Sequence, residues 1–461
     1  MDLKTLFSKN IKLTENGDIA FKFPSTNNLI NILFYTEYLQ KHLSRTPDIS
    51  EEPDAQLFAM MIRDPRFGLG RRDLGRYLMG NTKCSIDQII KAGRIDDLFF
   101  TQANGFTINE LLDYLKAEIE KGNELVKKWM PRYSSKNVAI AKSIAKKWGM
   151  NKQQYGKFIK CNTTENKLSR KNFDEIEFEH TPSLAMLKYA KCFNRRPELK
   201  ERYLRYLADV KAGKKELKVT TTSVYDIYKN KSAIDADIFF DKIEKISIDC
   251  IPIVDTSGSM HDDNDSIGKA LAIGHYLSKC SSTFKDKVIT FSEHPTMVTL
   301  GDKPAPYRGF FSTREILREP YRYAHYYGID ETKSIYEKEL ASMCSGDCSN
   351  TNFGAVMNLL STIDSGPMPQ WLVVLSDNEF DVGSCTSKQE TMKLFKKRGY
   401  TTRIIWWNLN SRHMTAPEMD SDGNIFMSGY NPMLLKYLSA GFNQEQFLAN
   451  LLEEYKKNIE K

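Results

Sequence analysis

Ile246-Ser-Ile-Asp-Cys-Ile-Pro-Ile-Val254 is followed directly by Asp255-Thr256-Ser257-Gly258-Ser259. The first segment is apolar and β-branched, which predicts a buried parallel strand. The second segment places one carboxylate and two hydroxyls in a tight turn, where Gly258 permits the bend. Mg²⁺, Mn²⁺ and Ca²⁺ prefer hard oxygen donors of this kind. Because ligand sites of open α/β sheets lie at such strand ends, the two segments predict a divalent-cation site.

Residues 255–259 would also suit an ordinary turn, since Asp, Ser and Gly are common turn formers. Two later segments favour the metal site. Residues 349–354 form a polar loop that contains Thr351 and opens a predicted helix. Residues 371–376 are a second apolar strand pattern, and Asp377 follows it at once. That these three segments belong to one site is implied by a family resemblance, which is given below with the residues that carry it.

Residues 241–461 alternate strand and helix patterns, which predicts a doubly wound parallel sheet. Strands are predicted at 246–254, 287–292, 370–376 and 402–408, and helices at 266–282, 353–363, 387–398, 431–439 and 443–458. An insertion rich in Tyr, Arg and Glu occupies about 301–348. It either leans over the metal site or covers the sheet edge.

Residues 1–240 read as a separate α-helical, solenoid-like domain, with a connector at 219–245. A loop dense in Gly and Arg, residues 63–76, lies between two predicted helices. It does not follow a strand, so it is not a dinucleotide-binding fingerprint. We interpret it as a tight interhelical turn whose Arg and Asp side chains pair; an Arg cluster for phosphate is the alternative.

The charge is divided unevenly along the chain. Residues 1–240 hold 42 Lys and Arg against 30 Asp and Glu, a net of +12, and the remaining residues hold 24 against 29, a net of −5. Residues 121–160 alone hold 11 basic residues and 1 acidic residue. This asymmetry favours a nucleic-acid partner, contact between the two halves or a solvated helical surface. Aromatic residues in this stretch suit either base stacking or the core: Trp129, Tyr133, Trp148 and Tyr155.

Several classes of protein are excluded by what the sequence lacks. There is no apolar run of about eighteen residues for a membrane span, and no secretory signal pattern. The eight cysteines are scattered, as expected for reduced thiols in a cytoplasmic protein. There is no P-loop, no H-E-x-x-H and no nucleophile elbow, so we predict that the chain is not an enzyme.

Taken together, these segments resemble the family that joins a TROVE-type helical region to a von Willebrand factor A domain, as in the Ro autoantigen. Within that family the chain is most similar to the plant and large-DNA-virus branch. The resemblance spans nearly the full length and is carried by residues 63–72, 131–136, 182–186, 287–292, 350–353, 376–381 and 407–409. The helical region is shorter than that of the Ro autoantigen, whose helical repeats form a closed ring.

The resemblance implies a metal-ion-dependent adhesion site (MIDAS). In that site Ser257 and Ser259 would be direct ligands, Thr351 would join through its hydroxyl, and Asp255 and Asp377 would act directly or through water. The expected cation is Mg²⁺, with Mn²⁺ and Ca²⁺ as alternatives. An acidic group of a protein partner would complete its shell.

For the helical region the resemblance implies RNA binding through basic residues. The candidates here are Arg132, Lys136, Lys142, Lys146 and Lys147. The predicted function is therefore a non-enzymatic, metal-dependent binding protein and ribonucleoprotein component. The alternative is a protein–protein scaffold or viral structural module that uses the metal site without RNA.

Overall fold

The computed structural model describes most of the 461 residues. The described ranges are 11–13, 19–21, 27–99, 101, 107–134, 137–217, 219, 222–231, 235–301, 334–344, 351–362, 366–377, 384–410, 418–419, 421–439 and 441–460. Of the predicted insertion at 301–348, all but residues 301 and 334–344 lie outside these ranges.

Helices and strands are numbered here in chain order. The strands are β1 (Ile11–Leu13), β2 (Ile19–Phe21), β3 (Cys250–Asp255), β4 (Lys287–Phe291), β5 (Thr296–Thr299), β6 (Trp371–Ser376), β7 (Arg403–Asn408), β8 (Glu418–Met419) and β9 (Ile425–Ser428). The helices are α1 (Asn28–Phe34), α2 (Thr36–Lys41), α3 (Ala55–Arg63), α4 (Arg72–Asn81), α5 (Ile86–Ala92), α6 (Ile108–Glu120), α7 (Glu124–Trp129), α8 (Val138–Lys147), α9 (Lys152–Phe158), α10 (Thr164–Ser169), α11 (Ser183–Asn194), α12 (Pro197–Lys211), α13 (Val224–Lys229), α14 (Ala236–Lys242), α15 (Ser266–Cys280), α16 (Ile335–Met343), α17 (Phe353–Ser361), α18 (Ser384–Lys397), α19 (Pro432–Ser439) and α20 (Gln444–Ile459).

The chain forms two compact units. The α/β unit comprises Met1–Lys41, Leu187–Lys191 and Thr222–Leu448, and the helical unit comprises His42–Met186, Cys192–Thr221 and Ala449–Lys461. Packing thus divides the chain at other points than the boundary predicted between residues 240 and 241. The predicted connector at 219–245 is not irregular throughout, because it contains α13 and α14.

The α/β unit is built on a mixed sheet with the strand order β5-β4-β3-β6-β7-β9-β8. The five inner strands from β4 to β9 pair in parallel. Four of them, β3, β4, β6 and β7, were predicted, whereas β9 was not. The sheet is not purely parallel, however, because β5 pairs antiparallel with β4, and β8 pairs antiparallel with β9. These outer strands have only four and two residues, too short for a recognisable alternation in the sequence.

Helices cover both faces of the central strands. On one face, α17 and α18 contribute Phe353, Met357 and Phe395 to a buried cluster that includes Ile253 and Val374 of the sheet. On the other face α15 approaches β3 closely. A Cβ at Gly274 would lie 2.5 Å from Cγ2 of Val254, so only glycine permits this approach. The carboxyl ends of the parallel strands are thereby fixed along one edge of a buried sheet.

The first helices of the chain also belong to the α/β unit. The Nδ2 group of Asn431 donates to the carbonyl of Leu33, and the backbone N–H of Tyr430 donates to Oε2 of Glu37. Glu37 in addition accepts from Nζ of Lys269 at 3.0 Å. Residues 28–41 therefore pack on the sheet unit, although their helical pattern suggested the N-terminal domain.

In the helical unit the Gly/Arg loop is a tight turn between α3 and α4. Its backbone folds back on α3, where the N–H of Leu69 donates to the carbonyl of Met61. A Cβ at Gly68 would lie 1.9 Å from that carbonyl oxygen, so a side chain is sterically excluded there. Arg63 bonds Asp97 at 2.7 Å, and Arg76 bonds Asp96 at 2.8 Å. The prediction of an interhelical turn with paired Arg and Asp side chains is confirmed.

Candidate functional site

The predicted metal residues lie at the carboxyl edge of the sheet. Asp255 ends β3, Ser376 ends β6, and the two strands pair with Val254 opposite Leu375. This register places Asp255 and Ser376 side by side. The hydroxyl of Ser376 donates to Oδ2 of Asp255 at 2.5 Å, and the backbone N–H of Ser257 donates to Oδ1 at 2.9 Å. The Asp255 carboxylate is completely buried and fixed at both oxygens.

The two serines of the turn present their hydroxyls together. Oγ of Ser257 and Oγ of Ser259 are 3.1 Å apart. Ser257 is buried, whereas Ser259 is exposed. A hydroxyl hydrogen bond explains this spacing, and so would a shared cation. Mg²⁺ holds oxygen ligands at about 2.1 Å in an octahedron, which sets neighbouring ligand oxygens about 3 Å apart.

The remaining predicted ligands flank this turn. Thr351 is buried, and it precedes Asn352, whose N–H donates to the carbonyl of Ser292 just beyond β4. Oδ1 of Asn352 accepts from the N–H of Ala355 and caps α17. Asp377 is buried directly after β6. Since β4, β3 and β6 are parallel neighbours, these loops all leave the sheet at the same edge.

At this edge of the sheet, burial and a neighbouring acid disfavour the charged form of Asp255. Burial raises the pKa of Asp255 to about 7, and the charge of Asp377 acts in the same direction. Hydrogen bonds from Ser376 and Ser257 oppose this rise without cancelling it. Two buried acids close enough to repel are the arrangement that a cation would relieve.

The donor set also fits a hard cation chemically. Its members are carboxylate and hydroxyl oxygens, with no thiol or imidazole among the predicted ligands. Within the described ranges no three His, Cys, Asp or Glu residues gather around one point. A site at this edge would therefore rely on hydroxyls for much of its shell, as the predicted residues do.

Sequence reasoning missed two residues of the edge. Ser376 holds Asp255, and Nδ2 of Asn408 at the end of β7 donates to the carbonyl of Asp377. Both are the last residue of an apolar strand pattern. A polar residue at the end of an apolar strand pattern could have pointed to both positions. Only the pairing of the strands, however, shows which of these polar ends lie next to each other.

Three of the predicted RNA-binding lysines lie on the outer side of α8. Lys142, Lys146 and Lys147 are exposed, while Ala141, Ile144 and Ala145 of the same helix are buried. This arrangement is an amphipathic helix with a basic outer face. Lys136 lies outside the described residues.

Arg132 and the aromatic residues of this region are more enclosed. Nη2 of Arg132 donates to the carbonyl of Lys127 at 3.4 Å and lies 3.3 Å from Sγ of Cys161. Trp148 and Tyr155 are buried in the core, whereas Trp129 and Tyr133 are half-buried. The guanidinium of Arg94 lies 4.6 Å from the centre of the Trp129 ring. Of the four aromatic candidates, only Trp129 and Tyr133 therefore keep accessible surface for a base.

Two family models match separate parts of this chain. Residues 129–243 match the family described as Domain of unknown function (DUF2828), and residues 322–460 match the family described as Domain of unknown function (DUF7788). The first range includes the basic face of α8, and the second includes Thr351 and Asp377. Neither description is that of a TROVE region or a von Willebrand factor A domain, so those two assignments stay predictions.

Among curated proteins, the chain is similar to Uncharacterized protein L728 of Acanthamoeba polyphaga mimivirus. The two are 26% identical over 375 residues, which cover 72% of this chain and 61% of the viral protein. The expected likeness to a large-DNA-virus protein is thus confirmed, although the match spans less than two thirds of that relative's length.

Among solved structures, the chain is similar to the crystal structure of the Ro (RSR) protein of Deinococcus radiodurans. The identity is 11%, the TM-score is 0.38, and the match covers 94% of this chain and 96% of that protein. A TM-score this low carries no argument about function. Among the helices that the structure describes, none is long and apolar enough to cross a membrane.

Proposed function

We propose that this chain is a non-enzymatic binding protein in which a divalent cation at the carboxyl edge of the sheet captures an acidic group of a partner. The observation that carries the proposal is the 3.1 Å spacing of the Ser257 and Ser259 hydroxyls beside the buried carboxylate of Asp255. Ser257, Ser259 and Thr351 would hold the cation, with Asp255 and Asp377 acting directly or through water.

The oxygen donor set suits hard cations, and the 3.1 Å between the Ser257 and Ser259 hydroxyls is compatible with octahedral Mg²⁺. Ca²⁺ stays an alternative, because its larger shell of six to eight ligands also brings neighbouring oxygens to about 3 Å. Mn²⁺ shares the preference for oxygen ligands and is the nearest alternative. When bound, the cation supplies positive charge at the surface and a coordination position that a carboxylate can fill.

Isothermal titration with MgCl₂ and MnCl₂ tests the cation site. We expect Ser257→Ala/Ser259→Ala to weaken cation binding at least tenfold, because both hydroxyl donors are removed. Ser361→Ala, in α17 of the same unit, is the matched control and leaves binding unchanged. Equal affinity of the double variant and the intact protein would refute the site.

We further propose that the helical unit binds RNA, which would make the protein a ribonucleoprotein component of the cytoplasm. The exposed lysines of α8 and the excess of basic residues across 121–160 support this part. Lysine ammonium groups bind phosphates as point charges, and each such contact makes affinity depend on salt.

Fluorescence anisotropy with a labelled oligouridylate tests RNA binding. Lys142→Glu/Lys146→Glu should weaken binding and reduce the slope of log K against log salt by about 0.7 for each lost phosphate contact. Lys396→Glu/Lys397→Glu, an equal charge change on exposed residues of α18, should not. Equal losses in both variants would indicate only a general charge effect.

The alternative is a protein scaffold that uses the metal edge without RNA. The burial of Trp148 and Tyr155 favours it, because these rings cannot stack on bases. In that case the oligouridylate does not bind at low salt, while protein partners captured from a lysate are lost on chelation and in Asp255→Asn.

A further inference from the structure

A cavity of about 280 Å³ opens in the helical unit beside α9. Arg132 and Lys152 provide two cationic walls, and Tyr155 and Ile159 provide an apolar, buried floor. Gly156 also lines it, and a Cβ there would meet no atom within 4 Å. The cavity therefore combines positive charge, an apolar base and open space above a helix.

Its remaining walls add an aromatic ring and a hydroxyl. Tyr133 is half-buried, and its ring centre lies 5.9 Å from Nζ of Lys152 and 5.9 Å from the ring of Tyr155. The exposed Ser134 supplies the hydroxyl. The hydroxyl of Tyr155 donates to the carbonyl of Pro131 at 2.9 Å, which ties the floor to the segment that carries Arg132. The walls are thus held by hydrogen bonds and ring contacts.

A cavity with two cationic side chains around an apolar floor favours a ligand that combines an anionic group with an apolar or aromatic group. Guanidinium and ammonium groups bind phosphate, and an aromatic ring beside them can contact a base. The volume lies just below the range of about 300–1,000 Å³ that is typical of small-molecule sites, so it accepts a single nucleotide rather than a duplex. Unstacked bases are offered by single-stranded RNA, not by a helix.

We propose that this cavity binds one nucleotide of single-stranded RNA, with its phosphate between Arg132 and Lys152 and its base toward Tyr133. The inference rests on the proposed RNA-binding function and assigns it a specific site. A strand rather than a free nucleotide is favoured because 11 basic residues against 1 acidic residue surround the cavity in sequence, from 121 to 160. Neighbouring phosphates of one strand would use that wider charge.

The test uses the full chain, a labelled oligouridylate and an RNA duplex of equal length in fluorescence anisotropy. Gly156→Leu fills the cavity and replaces a helical glycine by a better helix former, so the fold should be kept. We expect it to weaken oligouridylate binding at least tenfold and duplex binding less than twofold. Gln153→Leu, exposed on the same helix and outside the cavity, should leave both unchanged.

A charge substitution gives an independent reading. Lys152→Ala should weaken oligouridylate binding at least fivefold, whereas Lys157→Ala, exposed on the same helix and outside the cavity, should change it less than twofold. Melting temperatures of all four variants check folding. Free uridine monophosphate should compete only weakly, since it lacks the neighbouring phosphates.

The outcomes separate the inference from the function on which it rests. If Gly156→Leu and Lys152→Ala bind as the intact protein does, while Lys142→Glu/Lys146→Glu loses RNA, the cavity inference fails and RNA binding stands. If the intact protein does not bind the oligouridylate at low salt, both fail. Uridine monophosphate that binds as tightly as the oligouridylate would identify a nucleotide site and overturn the RNA-strand assignment.

Discussion

Two buried aspartates illustrate opposite ways of accommodating a charge inside this protein. In the helical unit, Asp97 is fully buried between the guanidinium groups of Arg63 and Arg76, and its Oδ2 also accepts from the backbone N–H of Arg94. In the α/β unit, Asp255 is equally buried, but its two oxygens accept from the Ser376 hydroxyl and the Ser257 amide.

The difference separates a structural role from a binding role. The charge of Asp97 is balanced by cations that the chain itself supplies, so nothing further is needed there. The partners of Asp255 are neutral, and the nearby Asp377 adds a second negative charge. A cation from solution would provide for Asp255 what the arginines provide for Asp97.

The largest effect on stability is expected at Asp97, whose charge is balanced by Arg63 and Arg76. Asp97→Ala removes one partner of a buried ion pair and leaves Arg63 uncompensated, which should lower the free energy of unfolding by about 3–5 kcal/mol. Urea denaturation measures it. A loss below about 1 kcal/mol would mean that water or neighbouring groups compensate Arg63, and that the contrast with Asp255 is weaker than described.

Asp255→Asn should act on cation binding rather than on the fold. We expect Mg²⁺ to raise the melting temperature of the intact protein but not of this variant; a hundredfold excess over Kd corresponds to about 2.7 kcal/mol. In a chelator the variant should be at least as stable as the intact protein, because a buried charge is removed.

The matched control for this change is Asp249→Asn. Asp249 lies just before β3, at the opposite end of the same strand, and accepts from the N–H of Gln370. It should respond to Mg²⁺ as the intact protein does. A Mg²⁺ response that survives in Asp255→Asn would place the cation elsewhere.

A third buried acid, Glu339, contacts a cation that the chain itself supplies, Lys279, and a histidine, His275. Burial raises its pKa, but hydrogen bonds from His275 and Lys279 outweigh this and hold it below the usual range. Burial lowers the pKa of His275, and Lys279 and Lys245 act in the same direction, while Glu339 opposes them. The imidazole is therefore neutral, and its Nε2–H donates to Oε2 of Glu339 at 2.6 Å.

This pair predicts a pH effect of intermediate size. Because His275 binds its proton more readily in the unfolded chain, its contribution to stability is complete above about pH 6.5 and is lost as the pH falls toward its folded pKa. Between pH 7.5 and 5.5 the intact protein should lose more unfolding free energy than His275→Gln does. The difference cannot exceed about 1.4 kcal/mol per pH unit. Parallel pH profiles of the two proteins would show that His275 does not titrate in this window.

The smallest effect on stability is expected for a solvent-exposed ion pair. Lys457 and Glu453 in α20 lie 2.6 Å apart with 67% and 65% of their side chains exposed. Glu453→Ala should leave the urea midpoint of unfolding essentially unchanged, since solvent screens such pairs. A change comparable to that of Asp97→Ala would show that burial does not set the scale of these interactions.

The sequence predicted the parts of the α/β unit that have strong local signals. The strands β3, β4, β6 and β7 and their helices have clear apolar patterns, and Asp255 and Asp377 stand where two of these patterns end, so both could be placed at strand ends. The short inner strand β9 was missed. The pairing of Asp255 with Ser376 could not be predicted, because it depends on the register of two strands 121 residues apart. The edge strands β5 and β8 were too short to leave a pattern.

Prediction was weaker where tertiary packing overrides local pattern. Residues 28–41 read as one more pair of helices, and nothing local shows that Asn431 and Glu37 attach them to the sheet unit. The basic face of α8 was predictable from its 3.6-residue period. The cavity at Gly156 was not, since its walls come from two segments whose proximity no periodicity encodes.

The hydrogen bond between Ser376 and Asp255 also has a consequence for the order in which the sheet forms during synthesis. During synthesis, residue 255 leaves the ribosome 121 residues before its partner, so β3 must wait for β6 with one pairing edge exposed. Loop closure over such a distance is slow and favours association with other chains meanwhile. The edge that carries the oxygen donors can therefore be completed only after β6 has been synthesised.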